Sequence, residues 1–374
     1  LWKSDGTAPN TTRVADINTG SGGSSPANLT IVGNTLYYTA TTTATGIELW
    51  KTDLTTGTGA TLVKDIRSGN LGSSIGNLVN FNGTLFFRAT DGTPGIGNQI
   101  WKTNDTGTDA VRVGSGYSSA SNLTVVGNTL YFTASGGTQL WKTDGTDAGT
   151  VLVSNVGASA AINNLTAVGN TLFFSASDAN GNELWKSDGT SASTARVADL
   201  NPGSGSSSPS NLVSFNGNLY FFAQDATGGA YKLFRSTPTG TVSAIAILPN
   251  SGQAPASLTV SGSKLFFVVN AGTLVSPDLQ LWSSDGAATT DVVSNINTTG
   301  NDQVSALTNL NGTLYFVAND GTGFQIYRTD GTLAGTIAST SDFTTAPTNL
   351  AAADGKLFFA GTDGTNGTEL WRIG

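Results

Sequence analysis

Ser121-Asn122-Leu123-Thr124-Val125-Val126-Gly127-Asn128-Thr129-Leu130-Tyr131-Phe132-Thr133-Ala134 is followed by Gln139-Leu140-Trp141-Lys142-Thr143-Asp144-Gly145-Thr146 and by Gly149-Thr150-Val151-Leu152-Val153. Every segment is short, rich in β-branched or aromatic residues, and bounded by Gly, Asn or Asp. That pattern reads as four strands, over 123–126, 129–134, 139–143 and 150–153. Gly127-Asn128 makes a two-residue hairpin turn and Asp144-Gly145 opens the bend after the third strand, because these residues tolerate positive φ. Tyr131 and Phe132 are adjacent and so point to opposite faces, which requires both faces of the sheet to be covered.

The same unit recurs along the whole chain. An aliphatic residue precedes a large aromatic at Trp2, Trp50, Trp101, Trp141, Trp185, Phe234, Trp282, Tyr327 and Trp371, at intervals of 40 to 51 residues. Intervals of this size mark stacked supersecondary units. Small antiparallel sheets covered on both faces and repeated in series describe an all-β, eight-bladed β-propeller with four strands per blade. A linear β-solenoid would have shorter coils, without this meander. The expectation is one domain over 1–374, built of eight repeats of roughly 46 residues. Trp50, Trp101, Trp141, Trp185, Phe234, Trp282, Tyr327 and Trp371 are its structural anchors. The strand near residues 12–17 is expected to complete the C-terminal blade begun by residues 349–373. Leu1-Trp2-Lys3 and Leu370-Trp371-Arg372 then compete for one third-strand place. Local hairpin closure favours the second and leaves residues 1–7 outside.

Composition narrows the function. Charged residues are 11% and the formal net charge is −8, with 48 glycines in 374 residues. An acidic chain without a basic cluster argues against nucleic acid and anionic membrane partners. No stretch is long and apolar enough for membrane insertion. With no Cys there is no disulfide, thiol nucleophile or zinc–thiolate site. With no Met, the chain is expected to be a processed or partial piece, and the polar, charge-poor, Cys-free surface suits secretion from a bacterium.

Glu48-Leu49-Trp50-Lys51-Thr52-Asp53, Leu140-Trp141-Lys142-Thr143-Asp144-Gly145-Thr146 and Glu183-Leu184-Trp185-Lys186-Ser187-Asp188-Gly189-Thr190 closely resemble the ELWxxDGT repeat of large bacterial surface and secreted proteins. The resemblance extends over essentially the whole chain. It implies an extracellular or cell-surface location and a scaffold more than an activity. Partners would be other surface proteins or further copies in self-assembly. The expected role is a structural or adhesive module, with a carbohydrate-binding, lectin-like propeller as the alternative. Phe234 and Tyr327 depart from Trp, Asn104 from Asp, and Thr237-Pro238 from Asp-Gly. The stretch of roughly residues 212–307 is least regular. Drift after duplication is the expected reading, and a sector recruited for a ligand, the alternative, would lie there.

The candidate chemistry is sparse. A basic residue follows the aromatic at Lys3, Lys51, Lys102, Lys142, Lys186, Arg235, Arg328 and Arg372, with Ser283 the exception, and Asp or Asn usually comes two residues later. This reads as a Lys–Asp pair at each turn, with a ring of charges for an anionic ligand as the functional alternative. Asp91, Asp178, Asp225, Asp320 and Asp363 fall in loops between second and third strands. They are dispersed singly, which favours turn capping over a calcium site, and no cofactor is expected. With no His and no Cys only carboxylate catalysis is open, and Glu48, Glu183 and Glu369 occupy one repeat position, so no enzyme is expected. For sugar binding, Tyr117 and Tyr231 are the aromatics expected to stack on pyranose rings, capping of sheet edges being the competing role.

Overall fold

Two-residue turns set the register of each repeat. In the computed structural model, which describes residues 1–156, 161–227, 229–249, 253–287, 290–365 and 367–374, Val126 pairs with Thr129 across Gly127-Asn128. Phe81 likewise pairs with Thr84 across Asn82-Gly83, whose φ values of 51° and 79° are those a tight hairpin demands. The second and third strands of the quoted unit run Thr129–Ala134 and Gln139–Thr143, as the pattern predicts. Its first and fourth strands are Ser121–Val126 and Val151–Asn155, each offset from the expected bounds.

Four-stranded antiparallel meanders form over residues 27–64, 76–112, 121–155, 163–198, 210–247, 256–292 and 305–338, and a three-stranded one over 348–373; these are blades 1 to 8. The chain is an all-β propeller of eight successive blades. No helix among the described residues is long and apolar enough to cross a membrane.

The contacts divide the chain into two compact units. One comprises Leu1–Ala179 with Trp185–Ala195, the other Asn180–Leu184 with Arg196–Gly374. Within the first, the first strands of blades 1 to 4 lie side by side in order; within the second, those of blades 5 to 8 do the same. Apolar cores form where consecutive blades face each other. Phe86 and Ile100 of blade 2 meet Leu130, Phe132 and Trp141 of blade 3, and Phe266 and Leu281 of blade 6 meet Leu314, Phe316 and Tyr327 of blade 7. This explains the paired aromatics of the second strand: Tyr131 faces the next blade and Phe132 the preceding one.

One recurring device escaped the sequence reading. Asn28, Asn77, Asn122, Asn164, Asn211 and Asn349 stand one residue before the Leu of the first strand, all at φ between 50° and 56°. Left-handed backbone there makes a bulge, seen as a register shift between Ser121 and Thr124, and carries the strand two residues beyond its expected start. The side chain is used as well. Asn122 Nδ2 donates to Thr133 Oγ1 at 3.2 Å, and Asn77 Oδ1 accepts from the backbone N of Asn122 on the next blade at 3.3 Å.

The N-terminal expectation is corrected. Thr12–Arg13 pairs with Trp2–Lys3, in the register Trp2 with Arg13 and Lys3 with Thr12, and so serves its own hairpin, not the C-terminal sheet. Trp2 and Lys3 are therefore part of a two-stranded sheet. Asp5 organises the connection, accepting from Thr7 N at 2.8 Å and Asn10 Nδ2 at 2.6 Å. The loop-closure argument applies here too, since a near neighbour in sequence costs the least entropy to reach. At the other end Phe359 pairs with Trp371 and Ala360 with Leu370, as expected.

Candidate functional site

The anchors sit on the third strands. Trp101, Trp141, Phe234 and Tyr327 are buried, Trp50, Trp185 and Trp282 are half-buried, and Trp371 is 37% exposed. Trp141 stacks on Phe132 with centroids 6.3 Å apart, and its Nε1 donates to Gln139 Oε1 at 3.0 Å. The buried rings are core, and Trp371 stands apart from them.

The turn that follows uses its polar groups internally. Asp144 Oδ1 accepts from Thr146 N at 2.9 Å and Thr146 Oγ1 at 2.7 Å, and Asp188 and Asp330 repeat the pattern. These bonds to the ionised form hold the carboxyls of Asp144, Asp188 and Asp330 below the usual range. The Gly of the turn lies against the preceding blade. A Cβ on Gly189 would collide with Tyr131 Oη, and one on Gly286 with Tyr220 Oη, while both glycines have φ near 90° (92° and 86°). The basic residue reaches the same turn. Lys102 Nζ donates to Gly145 O at 2.8 Å and Lys51 Nζ to Thr106 O at 3.3 Å, each on the next blade. The expected Lys–Asp pair is thus replaced by two separate bonds: the carboxylate caps its own turn and the ammonium ties a backbone carbonyl of the neighbour.

The exception at Ser283 is compensated. Where blade 6 lacks the third-strand cation, Lys264 at the start of its second strand donates to Gly331 O at 2.9 Å, and Ser283 Oγ lies 3.4 Å from the same oxygen.

Glutamate at the head of the motif is a buried latch on the connection to the following blade. Glu48 takes a hydrogen bond from Ser73 Oγ and one from Ile66 N at 3.2 Å, and Glu183 takes them from Ser207 Oγ at 2.6 Å, Ser207 N at 2.9 Å and Leu200 N at 3.2 Å. Burial raises both carboxyls above their ordinary range, Glu48 to about 7. After blade 6 the carboxylate comes from the connection itself. Asp302 accepts from Ser294 Oγ at 3.1 Å, Ile296 N at 3.0 Å and Asn297 N at 2.7 Å. Glu369 is exposed.

Tyr117 is not a stacking platform. It is buried against Phe132 and Trp141, its hydroxyl donates to Val113 O and accepts from Ile100 N at 3.2 Å, and burial pushes it up to about 12. Tyr231 is half-buried against the core between blades 5 and 6. Asp91, Asp320 and Asp363 cap backbone amides two residues on, and Asp225 adds an ion pair to Lys232. Among the described residues no group of three His, Cys, Asp or Glu could hold a metal ion.

What is left over gathers at one cleft. Between blades 6 and 7 lies a space of about 400 Å³ lined by Ser263, Lys264, Phe266, Thr313, Arg328 and Asp330, among others. Its blade 6 wall belongs to the irregular stretch; its blade 7 wall does not. A second cleft, of about 440 Å³, lies between blades 2 and 3 around Lys102, Arg112 and Asp147.

No family model and no curated protein matches the chain. Solved structures do. Dipeptidyl peptidase 4 from Porphyromonas gingivalis matches at TM-score 0.57 and 12% identity over 94% of this chain and 58% of its own. A prolyl endopeptidase matches at 0.55 and 12% over 91% and 54%. Ika8, a computationally designed protein, matches at 0.54 and 15% over 94% and 97%. The chain thus spans little more than half the length of the peptidases it is similar to. At these identities the likeness concerns the fold.

Proposed function

We propose that the chain is a non-catalytic propeller module of a bacterial surface protein or assembly, acting outside the cell as a structural or adhesive element. The observation that carries this reading is the fate of the repeated polar residues. The Asp and Thr of the turn, Lys51 and Lys102, and the buried Glu48 and Glu183 are spent on capping turns and joining blades, and among the described residues no group of three His, Cys, Asp or Glu is left to hold a metal ion. The likeness to peptidases does not alter it, because their activity belongs to chains nearly twice as long. The test is location and activity together. Protease treatment of whole cells should remove the protein, and the purified chain should hydrolyse no peptide substrate. Full protection inside intact cells would end the reading.

A lectin-like role is the second reading, favoured by the cleft between blades 6 and 7. It presents hydroxyls, charges and an apolar floor together, the mixture that small-ligand sites use.

A further inference from the structure

We propose that the cleft between blades 6 and 7 binds an acidic sugar, with the sugar carboxylate held between Lys264 and Arg328. This rests on the carbohydrate-binding reading and names its ligand class.

Cations are scarce in this chain, 17 in 374 residues, yet two of them line this one space. Neither is fully used. Thr35, Thr84, Thr129, Thr171, Asn218 and Thr313 stand where blade 6 has Lys264, and the other basic residue at this position, Lys356, lies 3.6 Å from the carboxylate of Asp354. Lys264 makes no ion pair of that kind among the described residues, the nearby charge of Asp330 acting on it across the cleft. Its bond to Gly331 O uses one of three ammonium donors and leaves two. The Arg328 guanidinium makes no ion pair or hydrogen bond among the described residues, and the residue is exposed. A guanidinium offers a paired fork that matches a carboxylate.

Charge balance selects the ligand further. Lys264 and Arg328 against Asp330 leave one net positive charge, which a carboxylate neutralises and a phosphate dianion overfills. Asp330 Oδ1 is taken by its own turn at Thr332, so Oδ2 is left to accept from a sugar hydroxyl. The hydroxyls of Ser263 and Thr313 bond to nothing else among the described residues, Ser263 standing on the blade 6 hairpin turn and Thr313 just after the blade 7 turn. Phe266 and Ile337 add apolar contact for ring C–H groups. About 400 Å³ is within the range of small-ligand sites. The cleft between blades 2 and 3 also holds a lysine and an arginine, Lys102 and Arg112, but its other polar groups are taken. Its Asp147 accepts from Gly114 N at 2.7 Å and its Thr146 hydroxyl is held by Asp144, while its Lys102 is tied to Gly145 O as Lys264 is to Gly331 O.

The experiment is calorimetric titration of the whole chain with a galacturonic acid trisaccharide, a neutral galactose trisaccharide and inorganic phosphate. The acidic trisaccharide should bind saturably, and Arg328→Gln should weaken it by about tenfold, with an unchanged melting temperature. Ser263→Ala should weaken it less. Binding of the neutral sugar alone, unaffected by Arg328→Gln, would overturn the acidic class and keep the lectin reading. Binding of phosphate in preference would overturn the sugar. Silence toward all three would remove both proposal and lectin reading and leave the scaffold reading standing.

Discussion

Gly189 combines a φ of 92° with the ring of Tyr131 above it, and the two constraints can be separated. Gly189→Ala should destabilise by about 2 kcal/mol or more, from left-handed strain plus the clash with the hydroxyl. In a Tyr131→Phe background a Cβ at 189 would meet Cζ at 3.4 Å, an ordinary contact, so part of the loss should return and the strain remain. Urea unfolding of the three variants checks this; equal losses in both backgrounds would mean the hydroxyl is not in the way. Glu48 makes a prediction in pH. Its folded-state pKa of about 7 lies above the ordinary 4.5, so its contribution is fully present below 4.5 and is lost as pH rises through 7. The loss amounts to about 3 kcal/mol. Glu48→Gln should flatten that slope between pH 5 and 8, read from urea midpoints, and Gln already occupies the position at 99, 139, 280 and 325. The turn aspartates act with opposite sign and at lower pH, because their carboxyls are held down.

At the scale of strands and turns, Trp141→Ala should cost about 3 to 5 kcal/mol, since it opens a cavity between two blades. Trp371→Ala should cost clearly less, because that ring is 37% exposed. Similar losses in chemical denaturation would contradict the burial described. Lys264→Thr should cost about 1 kcal/mol by removing the donor to Gly331 O, and adding Ser283→Lys should restore it by returning the cation to its usual strand. No recovery in the double variant would show that the two positions do not substitute for each other. Strand order, hairpin turns and the second and third strands were legible because Leu-Tyr-Phe, Gly-Asn and Leu-Trp-Lys each carry their geometry locally. The partners were not. That Lys102 reaches a carbonyl 43 residues away, that Tyr117 turns inward, and that Glu48 closes onto Ser73 depend on how blades meet. A single repeat does not encode that meeting. The Asn of the first strand was visible six times in eight units, but its left-handed backbone is a choice the strand pattern hides.

Across the whole molecule, the bonds that join consecutive blades repeat from one neighbour to the next, so stability should be close to a sum of blade and joint terms. These joints share one electrical character. At Lys51, Lys102 and Lys264 an ammonium meets a backbone carbonyl, and the opposite charge of the motif is folded into its own turn. Contact between a charge and a nearby dipole is short-ranged, and dissolved ions screen it far less than they screen charges held apart across water. The melting temperature should therefore hardly move from low salt to about 1 M sodium chloride, where the Debye length falls to roughly 3 Å; a steep fall in differential scanning fluorimetry would reveal hidden ion-pair dependence. The cleft between blades 6 and 7 works by the other rule, since it attracts its ligand through free charge. Brine would unload the cleft and spare the scaffold, so the same chain could release what it holds as its surroundings grow saltier and be ready to bind again on dilution, without refolding.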